Sequence, residues 1–126
     1  MKTIIHTENA PKAVGPYSQA IEANGMLFVS GQIPINPATN TIEATNIVGQ
    51  TEQVLKNLTA ILEAAGYDIR QVVKTTCLLS DIANFKAMNE VYARFFTDNP
   101  PARAAFAVKD LPMGVLVEIE AIAVAE

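Results

Sequence analysis

With 13 acidic and 9 basic side chains among 126 residues, the chain carries a net charge of −4 scattered along its length. It lacks the basic stripe of an electrostatic nucleic-acid binder. Half of its residues are hydrophobic and only 17% charged, an apolar balance suggesting that some surface is buried against other subunits.

One cysteine, Cys77, excludes an intrachain disulfide framework. One histidine, His6, leaves too few ligands for a His-based metal site or for Ser-His catalysis. Chemistry in this chain is expected to use Arg, Glu, Tyr, Ser, Asn and backbone groups. No uncharged apolar run approaches the length of a membrane span. Residues 1–6 lack the apolar core of a signal peptide, so the expected location is cytoplasmic. Length and composition predict one domain over residues 1–126.

In chain order, residues 2–7 read as a short edge strand. Ala10-Pro11 to Gly15-Pro16 is a loop whose prolines and glycine present Tyr17 on a defined turn. Ser18–Ala23 and Met26–Ser30 flank Asn24-Gly25, the strongest short hairpin signal. Gln32–Asn46 reads as a loop holding at most a short ribbon. Thr45 or Asn46 can cap a helix with Thr51, Val54, Leu55, Leu58, Ile61, Leu62 and Ala65 on one stripe, and Gly66 stands where a C′ glycine belongs.

Val72–Leu79 is β-branched and apolar, with Lys74 its only charge, which predicts a largely buried strand. Ser80 or Asp81 then caps a second helix with Phe85, Met88, Tyr92, Phe95 and Phe96 on one face, ended by Pro100-Pro101. Strands near 103–108 and 115–124 close the chain. The order β-ββ-α-β-α-ββ predicts an α+β domain whose two helices cover one face of a mixed sheet. The other face must meet something else, and a homo-oligomer packed sheet to sheet is the economical answer.

The residues that resist a purely structural reading lie mostly in the last quarter. Arg103 stands alone between Pro-Pro-Ala and Ala-Ala-Phe and offers a planar fork for a carboxylate. Glu118 and Glu120, two apart on an otherwise apolar strand, point to one face. Buried carboxylates are costly unless paired, so either could pair with Arg103, or Glu118 could act as a base or hold a water. A simple hairpin of the last two strands would set Arg103 opposite Glu118 to Glu120. Asn89 lies on the apolar stripe of the second helix and needs a partner, either a ligand or a loop. Ser30-Gly31-Gln32 ends a hairpin strand where glycine permits close backbone approach. Tyr17 offers a ring and a hydroxyl.

These residues, together with Gly15-Pro16-Tyr17-Ser18-Gln19-Ala20, Val29-Ser30-Gly31-Gln32-Ile33-Pro34, Met88-Asn89-Glu90-Val91-Tyr92, Pro101-Ala102-Arg103 and Val117-Glu118-Ile119-Glu120-Ala121-Ile122-Ala123, resemble the RidA/YjgF family of reactive-intermediate deaminases over essentially the whole chain. The resemblance implies a chorismate-mutase-like sheet of about six strands. It implies a homotrimer whose sheets form a central barrel, with three sites between subunits, and a strand order in which the last two strands need not be neighbours. It implies hydrolysis of 2-iminobutanoate and 2-iminopropanoate, released by pyridoxal-phosphate enzymes such as threonine dehydratase, to 2-oxo acids and ammonia, without cofactor or metal.

By the same resemblance Arg103 clamps the carboxylate and Glu118 positions or activates water. Tyr17, Ser30, Gly31 and Asn89 line the cleft, with backbone groups of Ala105 contributing. The family commonly has Ser-Cys after the arginine where this chain has Ala104-Ala105. Any role of a thiol there is lost, and Cys77 lies on a different strand. Two other functions stand beside hydrolysis: a non-catalytic trimer that binds a small carboxylate for regulation, and an endoribonuclease or translation inhibitor.

Overall fold

A computed structural model describes residues 1–126. Six strands, β1 (Thr3–Ile5), β2 (Ala20–Ala23), β3 (Met26–Gln32), β4 (Val72–Leu79), β5 (Ala102–Ala107) and β6 (Val117–Val124), accompany two helices, α1 (Ile47–Ala64) and α2 (Phe85–Phe95). The sheet order is β1-β2-β3-β6-β4-β5. Only β4 and β5 run parallel, joined by the crossover through α2; every other pair is antiparallel. This is the α+β arrangement expected, with the sheet left open at both edges.

Local chemistry sets most boundaries. Asn24 and Gly25 take φ of 54° and 71°, the left-handed pair a tight hairpin turn requires. Asn46, not Thr45, caps α1, its Oδ1 accepting from the Gly49 N–H at 2.8 Å. At the other end Tyr67 N–H donates to the Leu62 carbonyl (2.8 Å) and Gly66 N–H to that of Glu63 (3.0 Å), with Gly66 at φ 79°. This pair of bonds closes the helix in the Schellman manner. The second helix begins later than expected: Asp81 caps a short 3₁₀ turn, Ile82–Asn84, and the α-helix starts at Phe85.

The core lies between the helices and one sheet face. Val54, Leu55, Leu58, Ile61 and Leu62 of α1 and Met88 and Val91 of α2 are fully buried against Leu27, Cys77, Leu79, Val117, Ile119 and Ala123. Polar groups on the buried side of α1 hold loops. Asn57, 1% exposed, donates through Nδ2 to the carbonyls of Ile33 (3.2 Å) and Ile35 (2.9 Å). Gln50 donates to the Ala44 carbonyl and accepts from the Leu116 N–H.

The face away from the helices is uncovered. Registered neighbours Ile4, Ile21, Phe28 and Ile122 form one apolar row across β1, β2, β3 and β6. Ile4 is 63% and Phe28 42% exposed. The uncovered side of β6 begins with Glu118 and Glu120 and turns apolar only at Ile122 and Val124. No helix is long and apolar enough to cross a membrane.

Candidate active site

The hairpin reading of the last two strands does not survive. β4 lies between β5 and β6, so Arg103 is registered with Thr75 and Glu118 with Leu78. The two side chains also leave opposite faces of the sheet. Val117, Ile119, Ala121 and Ala123 are the buried set of β6, so Glu118 and Glu120 point away from the helices. Arg103 points toward them, its Nη1 donating to Asn89 Oδ1 on α2 at 2.6 Å. The ion pair considered for Arg103 and these carboxylates is absent. The two ion pairs of the chain are Arg70–Asp68 and Arg94–Glu52. Neither carboxylate is fully buried: Glu118 is half-buried and Glu120 exposed.

Four of the predicted site residues share one cleft on the uncovered face. Tyr17, Ser30, Gly31 and Glu118 line a space of about 560 Å³ together with Lys12, Met113 and Glu120. A β-bulge shapes its floor. Between the pairs Val29↔Ala121 and Gln32↔Ile119, β3 supplies Ser30 and Gly31 where β6 supplies Glu120 alone. The extra residue re-aims the strand, a device common beside active sites.

Ser30 Oγ donates to the Ser18 carbonyl at 2.6 Å and Ser30 N–H to the Gln19 carbonyl at 3.0 Å, which fixes the bulge to the loop before β2. A Cβ on Gly31 would collide with the Glu118 carboxylate. Glycine is therefore present because the acid lies across its backbone. Burial, and secondarily the like charge of Glu120, push the Glu118 carboxyl above the usual glutamate range.

Gln19 has a role that sequence reasoning missed. It is 2% exposed. Its Oε1 accepts from Thr7 N–H (2.7 Å) while Nε2 donates to the carbonyls of Thr7 and Pro11 (2.9 Å each). The loop walling the cleft is thus pinned by one buried amide. A glutamine between Tyr17-Ser18 and a strand carries no local signal for this, because its partners lie 8 and 12 residues earlier.

The remaining predicted residues gather elsewhere. Arg103, Asn89 and Ala105 belong to the helix side of edge strand β5 and the facing stripe of α2, and none lines the Glu118 cleft. Cys77 is directly opposite Ala105 in the β4–β5 register, so its different strand does not remove it from Arg103. Burial does: the thiol is fully enclosed and pushed up to about 11, where it stays protonated and inert. No group of three or more His, Cys, Asp or Glu side chains converges in a way that could hold a metal ion. One chain therefore carries two separate groupings: a carboxylate with hydroxyls and exposed backbone, and, on the opposite face, a guanidinium held by Asn89.

Comparison with known proteins identifies this architecture. The family model described as Endoribonuclease L-PSP matches residues 7–125. The chain belongs to that family, whose members here include RutC and Rid proteins. A RutC family protein of Pyrococcus horikoshii is 56% identical over 126 residues, covering 100% of both chains. The chloroplastic Reactive Intermediate Deaminase A of Arabidopsis thaliana is 48% identical over 122 residues, 97% of this chain and 65% of that protein. Among solved structures, E. coli TdcF with bound serine superposes with a TM-score of 0.94 at 41% identity, covering 98% of this chain and 99% of that one. The mixed α+β fold and Rid membership expected from the sequence are thereby established.

Proposed function

We propose that this Rid-family chain hydrolyses small 2-imino acids, 2-iminobutanoate and 2-iminopropanoate, to 2-oxo acids and ammonia, in homotrimeric form with sites between subunits. The observation that carries the proposal is the placement of Arg103 and Glu118 on opposite faces of one sheet. Neither half alone can hold and hydrolyse an imino acid, whereas Arg103 of one subunit set at the mouth of another's Glu118 cleft completes a site. The exposed apolar row of Ile4, Ile21, Phe28 and Ile122 supports burial of that face in a trimer whose sheets enclose a central barrel. The deaminase name of the Arabidopsis relative and the serine held by TdcF support an amino-acid-derived substrate.

The residues suit the reaction. An iminium carbon is already electrophilic, so the protein has mainly to orient substrate and water. Arg103 takes the carboxylate through two parallel N–H···O bonds. Water adds to the iminium carbon as its proton passes to Glu118. That proton is then delivered to the carbinolamine nitrogen, and the C–N bond breaks as the hydroxyl proton returns to Glu118, leaving 2-oxo acid and ammonia, which takes up the last proton as ammonium. A glutamate raised above its ordinary range is better matched to giving the proton back. Tyr17, Ser30, Gly31, Asn89 and the Ala105 backbone line the shared cleft, and the reaction belongs in the cytoplasm.

The test generates the imine with threonine dehydratase, traps it with semicarbazide, and measures whether the protein lowers adduct formation. Unchanged trapping at generous protein concentration, with 2-oxobutanoate still bound, would favour the non-catalytic carboxylate-binding reading. A second experiment addresses the shared site. Arg103→Ala and Glu118→Ala chains, each inactive alone, are mixed, unfolded and refolded together. Random assembly leaves about a quarter of the interfaces with both native residues, so about a quarter of native activity returns. No recovery would place both residues' chemistry elsewhere. RNA cleavage that survives stringent purification and vanishes in Glu118→Ala would revive the nuclease reading, against which the charge of −4 speaks.

A further inference from the structure

A guanidinium that binds a carboxylate bidentately must be held in one plane, and the structure shows what holds it. The Arg103 Cζ lies 4.9 Å from the centroid of the Tyr92 ring and 5.4 Å from that of Phe85. Phe85, Asn89 and Tyr92 stand at i, i+4 and i+7 of α2, so one helical stripe presents ring, amide and ring in succession. The Tyr92 ring is itself anchored. It is 6% exposed and packs on Phe96 at 4.5 Å. Its hydroxyl shares a 2.7 Å hydrogen bond with Thr75 Oγ1. Thr75 is fully buried and is the registered neighbour of Arg103 on β4. The helix therefore supplies every side-chain contact of the arginine, and the neighbouring strand fixes one of the two rings.

We infer that Phe85 and Tyr92, with Thr75 as the anchor of the latter, are positioning residues that set the plane of the Arg103 guanidinium for carboxylate recognition. The inference deepens the proposed function and rests on it for the identity of the ligand. Aromatic faces attract the cation and leave its N–H edges for acceptors. Asn89 takes one Nη1 donor, and the Nε/Nη2 edge has no hydrogen-bond partner in the chain. That edge is the fork a planar carboxylate fits. Ordering the side chain beforehand spares the rotamer freedom that an unsupported arginine would lose on binding. A lysine at 103 would keep the charge and lose the plane.

Two readouts separate this inference from the function beneath it. The first is calorimetry with 2-oxobutanoate. The second is the ¹⁵N-resolved Nε–Hε signal of Arg103, assigned by its loss in Arg103→Lys. In the native protein that signal is displaced by the ring currents of Phe85 and Tyr92. In Phe85→Leu it moves toward that of free arginine, 2-oxobutanoate binds about tenfold more weakly, and KM rises with kcat held. Phe85→Tyr restores all three. Tyr92→Phe, which keeps the ring and removes the Thr75 bond, gives a smaller loss in the same direction. Phe85→Met takes the place of the leucine variant if the latter does not fold. An unmoved signal in the Phe85 variant overturns the inference, as does unchanged affinity in a protein that binds 2-oxobutanoate. Absence of binding in the native protein refutes the carboxylate reading, and the Arg103 signal then decides the positioning role alone.

Discussion

Gly31 and Glu118 act as one unit at the residue scale. The acid occupies the space a Cβ would need, so Gly31→Ala displaces a flexible carboxylate rather than backbone. We expect imine hydrolysis to fall about a hundredfold, the scale on which a misplaced catalytic group is felt, with Tm within a few degrees of the native protein. Native activity in Gly31→Ala would show that the position of Glu118 is immaterial.

The raised Glu118 carboxyl also makes a sign prediction. Because the folded protein holds this proton more tightly than the unfolded chain, its contribution to stability is fully present below the ordinary value of 4.5 and lost as pH rises through the raised value. In an Arg103→Ala background, where no neighbouring guanidinium can reach the cleft, Glu118→Gln is therefore as stable as its parent at pH 4 and equally or more stable at pH 8, measured calorimetrically. A Gln variant markedly less stable at pH 8 would mean that the carboxylate has a favourable partner. On the proposed mechanism the same carboxyl sets the acidic limb of kcat, which should titrate above the range of an ordinary glutamate.

At the scale of elements, α1 does two jobs with one face. Its apolar residues fill the core, while Asn57 and Gln50 hold the loops that border the cleft. Asn57→Ala leaves the Ile33 and Ile35 carbonyls without their partner and should cost about 1–3 kcal/mol in urea unfolding. A loss under 0.5 kcal/mol would mean that water replaces the amide at little cost. The helical stripes and their stops were legible in the sequence. The roles of Asn57 and Gln50 within the first helix were not, because they bind Ile33, Ile35 and Leu116, which lie 22 to 66 residues away. The second helix was misjudged by one turn because Asp81 caps a 3₁₀ turn as readily as an α-helix.

For the whole molecule, the question is the uncovered sheet face. A row of Ile4, Ile21, Phe28 and Ile122 across four strands is expected to sit at a subunit interface. Sedimentation should find a trimer, and Phe28→Glu should shift it to monomer, since a carboxylate at the centre of an apolar interface goes unpaired. An unchanged mass in that variant would put the interface elsewhere. Loss of hydrolysis with the trimer is the companion expectation, because the proposed site needs two chains.

The amino-acid sequence determined the element order, both helical stripes, the Asn24-Gly25 hairpin and the family motifs, all of them local periodicities or turn chemistries written within a few residues. It also marked Arg103 and Glu118 as charges out of keeping with their surroundings. What only the tertiary structure decided is how those two relate. Strand pairing across the chain inserts β4 between β5 and β6, and the period-two alternation of side chains then sends Arg103 and Glu118 to opposite faces. Spacing along one strand cannot reveal which strand lies beside it, because register is set by contacts made over the whole sheet.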